Sequence, residues 1–223
     1  MLQLLVFDMD GVIVDTEYLD FQLQQEFVRL LSLRPNELSQ QELSVLVGKS
    51  YTSLYRSIKQ LSQTSLSLET IGHQLEKFAA EKYQEINYQE LFRKDIVQIL
   101  LYARKNHIKV ALASSSRYQH IIEVLASCGI DDYFDVIISG EDFVESKPNP
   151  AIYQAVLENL DIDAENAVAI EDSFYGIAAA KSAGLKVIAY EEKRLPVDQS
   201  RADMVAKDMV EIFSILQTLK ESE

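Results

Sequence analysis

Positive charge is in short supply in this chain: 21 Lys and Arg stand against 35 Asp and Glu, for a formal charge of −14. A protein without a basic stripe gains no counterion release from a phosphate backbone, so no nucleic-acid partner is expected, and anionic membrane surfaces are disfavoured on the same ground. Cysteine is nearly missing too. Cys128 stands alone, which rules out an internal disulfide and gives no reason to invoke an oxidising compartment. The three histidines, His73, His107 and His120, have no metal-ligand spacing. Glycine is limited to seven residues, so each one is informative. No apolar run reaches membrane-spanning length, and the first apolar stretch meets Asp8 and Asp10 with no basic region before it, unlike a signal peptide. A cytoplasmic location is the resulting expectation.

What the chain does have is material for a large core: 223 residues, 48% of them hydrophobic and 25% charged, the balance of an ordinary globular protein. Leu4 to Phe7 form a short apolar run ending in Asp-Met-Asp-Gly, which reads as a buried strand. From Thr16 to Tyr88 the spacing turns helical, with Leu23, Phe27, Leu30 and Leu31, then Leu54, Ile58 and Leu61, then Ile71, Leu75 and Phe78. Ser39 and Glu42 have the spacing of a capping box. After Gln89 apolar runs at 108–113, 136–138, 167–170 and 186–189 alternate with helical stretches at 96–103, 121–128, 152–160 and 177–183. Gly129 and Gly184 follow two of those helices as expected stops. The expected fold is α/β: a Rossmann-like open parallel sheet, residues 1–15 and 89–223, whose first crossover carries an all-helical insert, residues 16–88.

Open α/β sheets bind ligands beyond the carboxyl ends of their strands. Asp8, Asp10 and Gly11 follow the first strand; Ser114, Ser115 and Ser116 follow the second; Lys147 lies in the loop after the third; Glu171, Asp172 and Ser173 follow the fourth. Carboxylates brought within a few ångströms repel by about 4 kcal/mol per pair at an effective dielectric near 20, so such a cluster requires a cation. An all-oxygen donor set suits Mg2+. Taken singly, each feature has a plainer reading: Asp favours turns, a lysine before proline is commonly an exposed loop residue, and Ser116 and Ser173 could cap helices. Their order after successive strands is what points to a site.

Asp8-Met-Asp10-Gly11, then Ser114, Lys147 and Glu171-Asp172, resembles the haloacid dehalogenase superfamily of phosphotransferases over essentially the whole chain. The stretch from Asp10 to Glu17, and Ser146-Lys-Pro-Asn-Pro150, resemble the branch of β-phosphoglucomutase and small sugar-phosphate phosphatases, whose helical cap follows the first motif. The resemblance implies that Asp8 attacks phosphorus and becomes an aspartyl-phosphate, while Asp10 protonates the leaving alkoxide and later activates water. Ser114, Ser115 and Lys147 would bind the phosphoryl group. Mg2+ would be held by Asp8, the Asp10 carbonyl and Asp172, with Glu171 as a further ligand directly or through water.

The expected reaction is hydrolysis of a small phosphomonoester. A phosphomutase is the alternative, yet Asp20 stands where β-phosphoglucomutase carries a cap-hinge histidine, and Tyr51 where an arginine is expected after Gly48-Lys49-Ser50. Thr16, Lys49 and Tyr51 are the candidate specificity residues of the insert. A receiver-type signalling domain would also cluster acids, a hydroxyl and a lysine, but a domain that stores its aspartyl-phosphate gains nothing from an adjacent general acid. No Gly-x-Gly-x-x-Gly follows a strand, which argues against a nucleotide-dependent oxidoreductase. The sequence does not indicate an oligomeric state.

Overall fold

The computed structural model of the chain describes residues 1–47, 51–84 and 86–221. The strands are β1 (Leu4–Phe7), β2 (Lys109–Ser114), β3 (Val136–Ser139), β4 (Ala167–Glu171), β5 (Lys186–Tyr190) and β6 (Met204–Ala206), and the helices are α1 (Glu17–Leu31), α2 (Gln40–Leu43), α3 (Tyr51–Ser62), α4 (Leu68–Tyr83), α5 (Tyr88–Leu91), α6 (Ile96–Lys105), α7 (Tyr118–Cys128), α8 (Ala151–Leu160), α9 (Phe174–Ser182) and α10 (Met209–Glu221). All strand pairs are parallel and the order across the sheet is β3-β2-β1-β4-β5-β6. Sequence periodicity foresaw the first five strands. It missed β6 and α10: a three-residue strand carries too little alternation to stand out.

The chain divides into two compact units, one of Met1–Asp15, Tyr88–Lys193 and Asp198–Glu223, the other of Thr16–Asn87 with Arg194–Val197. In the first, the period-two geometry of the strands sorts side chains by size. Leu5, Phe7, Val110, Leu112, Val168, Ile170 and Ile188 face one layer, with Ile99, Val124 and Ile212 from α6, α7 and α10. Val6, Ala111, Ala113, Ala167 and Ala169 face the other, with Tyr153 of α8 and Ala179 and Ala180 of α9. Small residues on that second face let α9 approach β4 and β5 closely, which matters for the site below.

The helical unit has its own core of Phe27, Val28, Leu43, Leu54, Ile58, Ile71 and Leu75. The capping box forms as expected, with Glu42 N donating to Ser39 Oγ at 3.2 Å and Ser39 N donating to Glu42 Oε2 at 2.9 Å. One expectation fails: Leu30 is exposed, while its neighbour Leu31 packs on the core. Consecutive helix residues lie about 100° apart, so a narrow apolar stripe admits one of the two.

Candidate active site

In the strand order β3-β2-β1-β4-β5-β6 the chain reverses direction of winding between β1 and β4, and their carboxyl ends flank the crevice where α/β folds bind ligands. Phe7 pairs with both Leu112 and Ile170, so the next residue, Asp8, emerges level with Ala113 and Glu171. Its amide donates to Ile170 O at 3.0 Å. The chain then turns at Gly11, whose φ of 80° lies in the left-handed region that favours glycine. Ile13 N donates to Met9 O and Gly11 N to Val14 O, both at 2.8 Å, closing a tight turn that carries Asp10.

Lys147 is buried at the centre of the site. Its ammonium donates to Asp8 Oδ1 and Glu171 Oε1, each at 2.7 Å, and to Ala113 O at 3.0 Å, so its three protons have three acceptors. Burial works against the charge, but Asp8 and Glu171 outweigh it and hold the lysine pKa well above its ordinary value. Asp8 is pulled the other way. Burial raises its pKa to about 7; Lys147 opposes that rise, and Glu171 and Asp10 add to it. Lys147 is therefore firmly cationic, while Asp8 is harder to ionise than a surface aspartate.

Glu171 is wholly buried and bonded at both oxygens. Oε1 accepts from Lys147 and from Tyr153 OH at 2.6 Å; Oε2 accepts from Asp172 N at 3.2 Å and Ser173 Oγ at 3.3 Å. Burial, then Glu171, pushes the Tyr153 phenol well above its usual pKa, so it acts as a donor. The carboxylate lies against the start of α9, where a Cβ added to Gly176 would come within 1.9 Å of Glu171 Oε1. Ser173 caps that helix, accepting from Gly176 N at 3.0 Å. Asp172 is buried as well, and Gln199 Nε2 holds its carbonyl at 2.6 Å. One carboxylate oxygen from each of Asp8, Glu171 and Asp172 lies within 4.8 Å of the others. The donors are hard oxygens, which fit a small divalent cation.

Ser114 is buried at the end of β2 and accepts from Ser116 N at 3.0 Å; Ser115 is exposed. Ser116 departs from its expected role. The residue at the N-cap of α7 is Arg117, and Ser116 Oγ instead donates to Asp10 Oδ2 at 2.8 Å. Seryl hydroxyls adapt to whichever acceptor the tertiary structure supplies, so spacing alone could not separate a cap from a carboxylate partner. Of the helical-unit candidates, Thr16 is fully buried before α1, Tyr51 is exposed at the start of α3, and Lys49 lies outside the described residues. Asp20 accepts a hydrogen bond from Tyr83 OH.

Tyr153, Gln199 and Gly176 were not identified from sequence as parts of this site, and Ser116 was placed after the second strand only as a possible helix cap. Tyr153 left a faint signal: a tyrosine on the apolar face of a helix needs a partner for its hydroxyl, and this one follows Lys147 by only six residues.

Comparison with known proteins places this arrangement. Residues 5–190 match the haloacid dehalogenase-like hydrolase family. The chain is 30% identical to a phosphorylated carbohydrates phosphatase of Thermotoga maritima, with 99% of each chain covered. It is 26% identical to CbbY from Rhodobacter sphaeroides, solved in complex with phosphate, at a TM-score of 0.70 with 95% of this chain and 96% of that one covered. The β-phosphoglucomutase of Clostridium difficile shares the fold at a TM-score of 0.78 and 24% identity, covering 98% and 96%. The match over most of its length, together with these relatives, makes this chain a member of the haloacid dehalogenase-like hydrolase family.

Proposed function

We propose that this hydrolase is a phosphatase acting on a small phosphomonoester such as a sugar phosphate, with Asp8 as the nucleophile. The observation that carries the reading is the buried triad of Lys147, Asp8 and Glu171: the ammonium fixes one Asp8 oxygen at 2.7 Å and leaves the carboxylate's other oxygen for attack. The name of the Thermotoga maritima relative supports the substrate class.

In this reading Asp8 Oδ2 forms a bond to phosphorus as the bond from phosphorus to the ester oxygen breaks, and that oxygen takes a proton from Asp10. Water, deprotonated by Asp10, then attacks the aspartyl-phosphate; phosphate leaves and Asp8 is regenerated. Ser114 Oγ already accepts from Ser116 N, so its proton is the one to donate to a phosphoryl oxygen. Lys147 opposes the charge of the transferring group. Asp8, the Asp10 carbonyl and Asp172 would hold Mg2+, with Glu171, bonded at both oxygens, the less available donor and chiefly an anchor for Lys147. When bound, the ion would neutralise phosphoryl charge and favour ionised Asp8. The helical unit would serve as the cap that selects the substrate, with Thr16, Lys49 and Tyr51 as its candidate residues.

The mutase alternative draws on two solved neighbours, one titled a β-phosphoglucomutase at 24% identity and one a putative β-phosphoglucomutase at 26%, whereas the 30% relative is named a phosphatase. Family membership argues against a signalling receiver. A cytoplasmic enzyme without a membrane partner fits the composition, and among the described residues no helix is long and apolar enough to cross a membrane.

The test is phosphate release across a panel of small phosphomonoesters, with Mg2+ and with a chelator. We expect Mg2+-dependent release from at least one, and a loss on the order of 10^4-fold or more in Asp8→Asn. An active Asp8→Asn protein would remove the nucleophile assignment. Isomerisation of β-glucose 1-phosphate dependent on glucose 1,6-bisphosphate would make the protein a mutase.

A further inference from the structure

Arg93 takes no part in the chemistry above, yet it is tied to the turn that bears Asp10 more thoroughly than any ordinary surface arginine. Its Nη2 donates to Gly11 O at 3.1 Å and to Asp15 Oδ1 at 2.8 Å. Its Nη1 donates to Tyr190 OH at 2.8 Å, and the guanidinium lies 4.0 Å from the centre of the Tyr190 ring. Its backbone N donates to Ile13 O at 3.0 Å, Asp15 N donates to Leu91 O at 2.9 Å, and Val14 bridges to Phe92. The segments 11–15 and 91–93 are thus zipped together, and the guanidinium closes the zip. All of these residues belong to the α/β unit.

The contact with Gly11 gives this clamp a catalytic consequence. Glycine is the residue of the turn with the widest choice of backbone conformation, so the orientation of its carbonyl is the turn's softest coordinate. Arg93 fixes that coordinate one residue beyond Asp10. The Asp10 carboxylate is steadied at its tip by Ser116 Oγ, and the turn beneath it by Arg93. Only a planar fork can serve a carbonyl, a carboxylate and a phenol at once while lying on an aromatic ring; a lysine ammonium is a point charge without that geometry. Were Arg93 no more than an ion pair with Asp15, the Gly11 and Tyr190 contacts would have no purpose.

We propose that Arg93 is a positioning residue for Asp10, holding the turn so that Asp10 can protonate the leaving oxygen. This rests on the phosphatase reading. It predicts a dependence on leaving group that general destabilisation would not produce. An alkyl phosphate needs its departing oxygen protonated, whereas p-nitrophenolate leaves well without help. The quantity to compare is kcat/KM, which reports transfer to Asp8 and not the later hydrolysis shared by all substrates.

Asp10→Asn sets the reference, with an expected loss of about a hundredfold or more on the best alkyl phosphomonoester and a much smaller one on p-nitrophenyl phosphate. Arg93→Gln should follow the same direction, losing at least about tenfold on the alkyl ester and under about threefold on p-nitrophenyl phosphate. Arg93→Lys keeps the charge beside Asp15 without the fork; it should show the same skew, weaker, and it carries the measurement if the Gln variant does not fold. Equal losses on both substrates, or no loss on either, would overturn the proposal and leave Arg93 as a structural ion pair. A wild-type protein that cleaves neither substrate would instead overturn the phosphatase reading, and the role of Arg93 with it.

Discussion

At the carboxyl end of the sheet Lys147 lies between Asp8 and Glu171, with side-chain exposures of 7%, 11% and 0%, whereas at the amino end Lys109 meets Asp135 at 53% and 32%, and Lys181 meets Asp203 at 29% and 36%. The pair distances scarcely differ, from 2.6 to 2.8 Å. The surroundings do. Asp135 and Asp203 each stand just before an edge strand and accept a backbone N–H from the neighbouring strand: Asp135 takes Val110 N at 2.9 Å on the oxygen that Lys109 leaves free, and Asp203 takes Val187 N at 2.7 Å on Oδ2, one of the two oxygens that Lys181 also reaches. These are register clamps, built the same way at β3 and at β6, and water shares their cost. The carboxyl-end charges pay a desolvation penalty that hydrophobic residues of similar size would avoid. In the proposed phosphatase reading, their use is in the chemistry.

The largest expected effect comes from removing the same residue type at each end. Lys147→Met leaves Asp8 and Glu171 facing each other in a dry pocket, and should lower unfolding free energy by about 3–5 kcal/mol at neutral pH. It should also lower phosphate release by on the order of 10^3-fold. Lys109→Met should cost under about 1 kcal/mol and leave turnover unchanged. Urea titrations of both variants, with turnover on one substrate, check the contrast; similar stability losses at the two ends would erase it.

Gly176→Ala probes the carboxyl end without touching a charge. The added methyl would fall where the Glu171 carboxylate now lies, so the carboxylate must shift, and Lys147 with it. The expected loss in kcat is about ten- to a hundredfold, the usual range for displacing a group that orients a catalytic one. Alanine is otherwise a better helix former than glycine by about 1 kcal/mol, which offsets part of the cost in stability. A variant with normal kcat would mean that Glu171 can move without consequence.

How far this contrast could be read from sequence depends on where each residue sits. Asp8, Ser114, Glu171 and Asp172 close apolar runs, and strand ends in a parallel sheet converge by topology, so their grouping could be anticipated. Lys147 lies in a loop, and its Ser-Lys-Pro context exposed it through family resemblance more than through periodicity. Tyr153 and Arg93 act through side-chain directions that no spacing rule encodes: one reaches Glu171 from inside a helix, the other spans 82 residues to Gly11. The amino-end clamps stayed hidden for the same reason. An aspartate ahead of a strand looks like any turn residue until the adjacent strand brings its N–H within reach.

The smallest effect, and the one most specific to the amino end, is the pH dependence of Asp203. Burial pushes its pKa up, but the hydrogen bonds from Lys181 and Val187 N and the nearby lysine charges outweigh that, so it lies below the ordinary aspartate value. A carboxylate whose pKa is depressed by folding adds stability above its unfolded pKa of about 3.9 and loses that contribution as pH falls through the lower folded value. Asp203→Asn keeps an oxygen for Val187 N and discards the charge. Its cost at pH 7 should therefore be under about 1 kcal/mol, reduced by the water that screens a partly exposed pair, and should fade as the solution is taken below the folded pKa. Matched urea titrations of wild type and variant from neutral to strongly acidic pH measure it. A cost that persists unchanged in acid would assign the clamp to the shape of the side chain, and the amino-end pairs would then owe nothing to their charge.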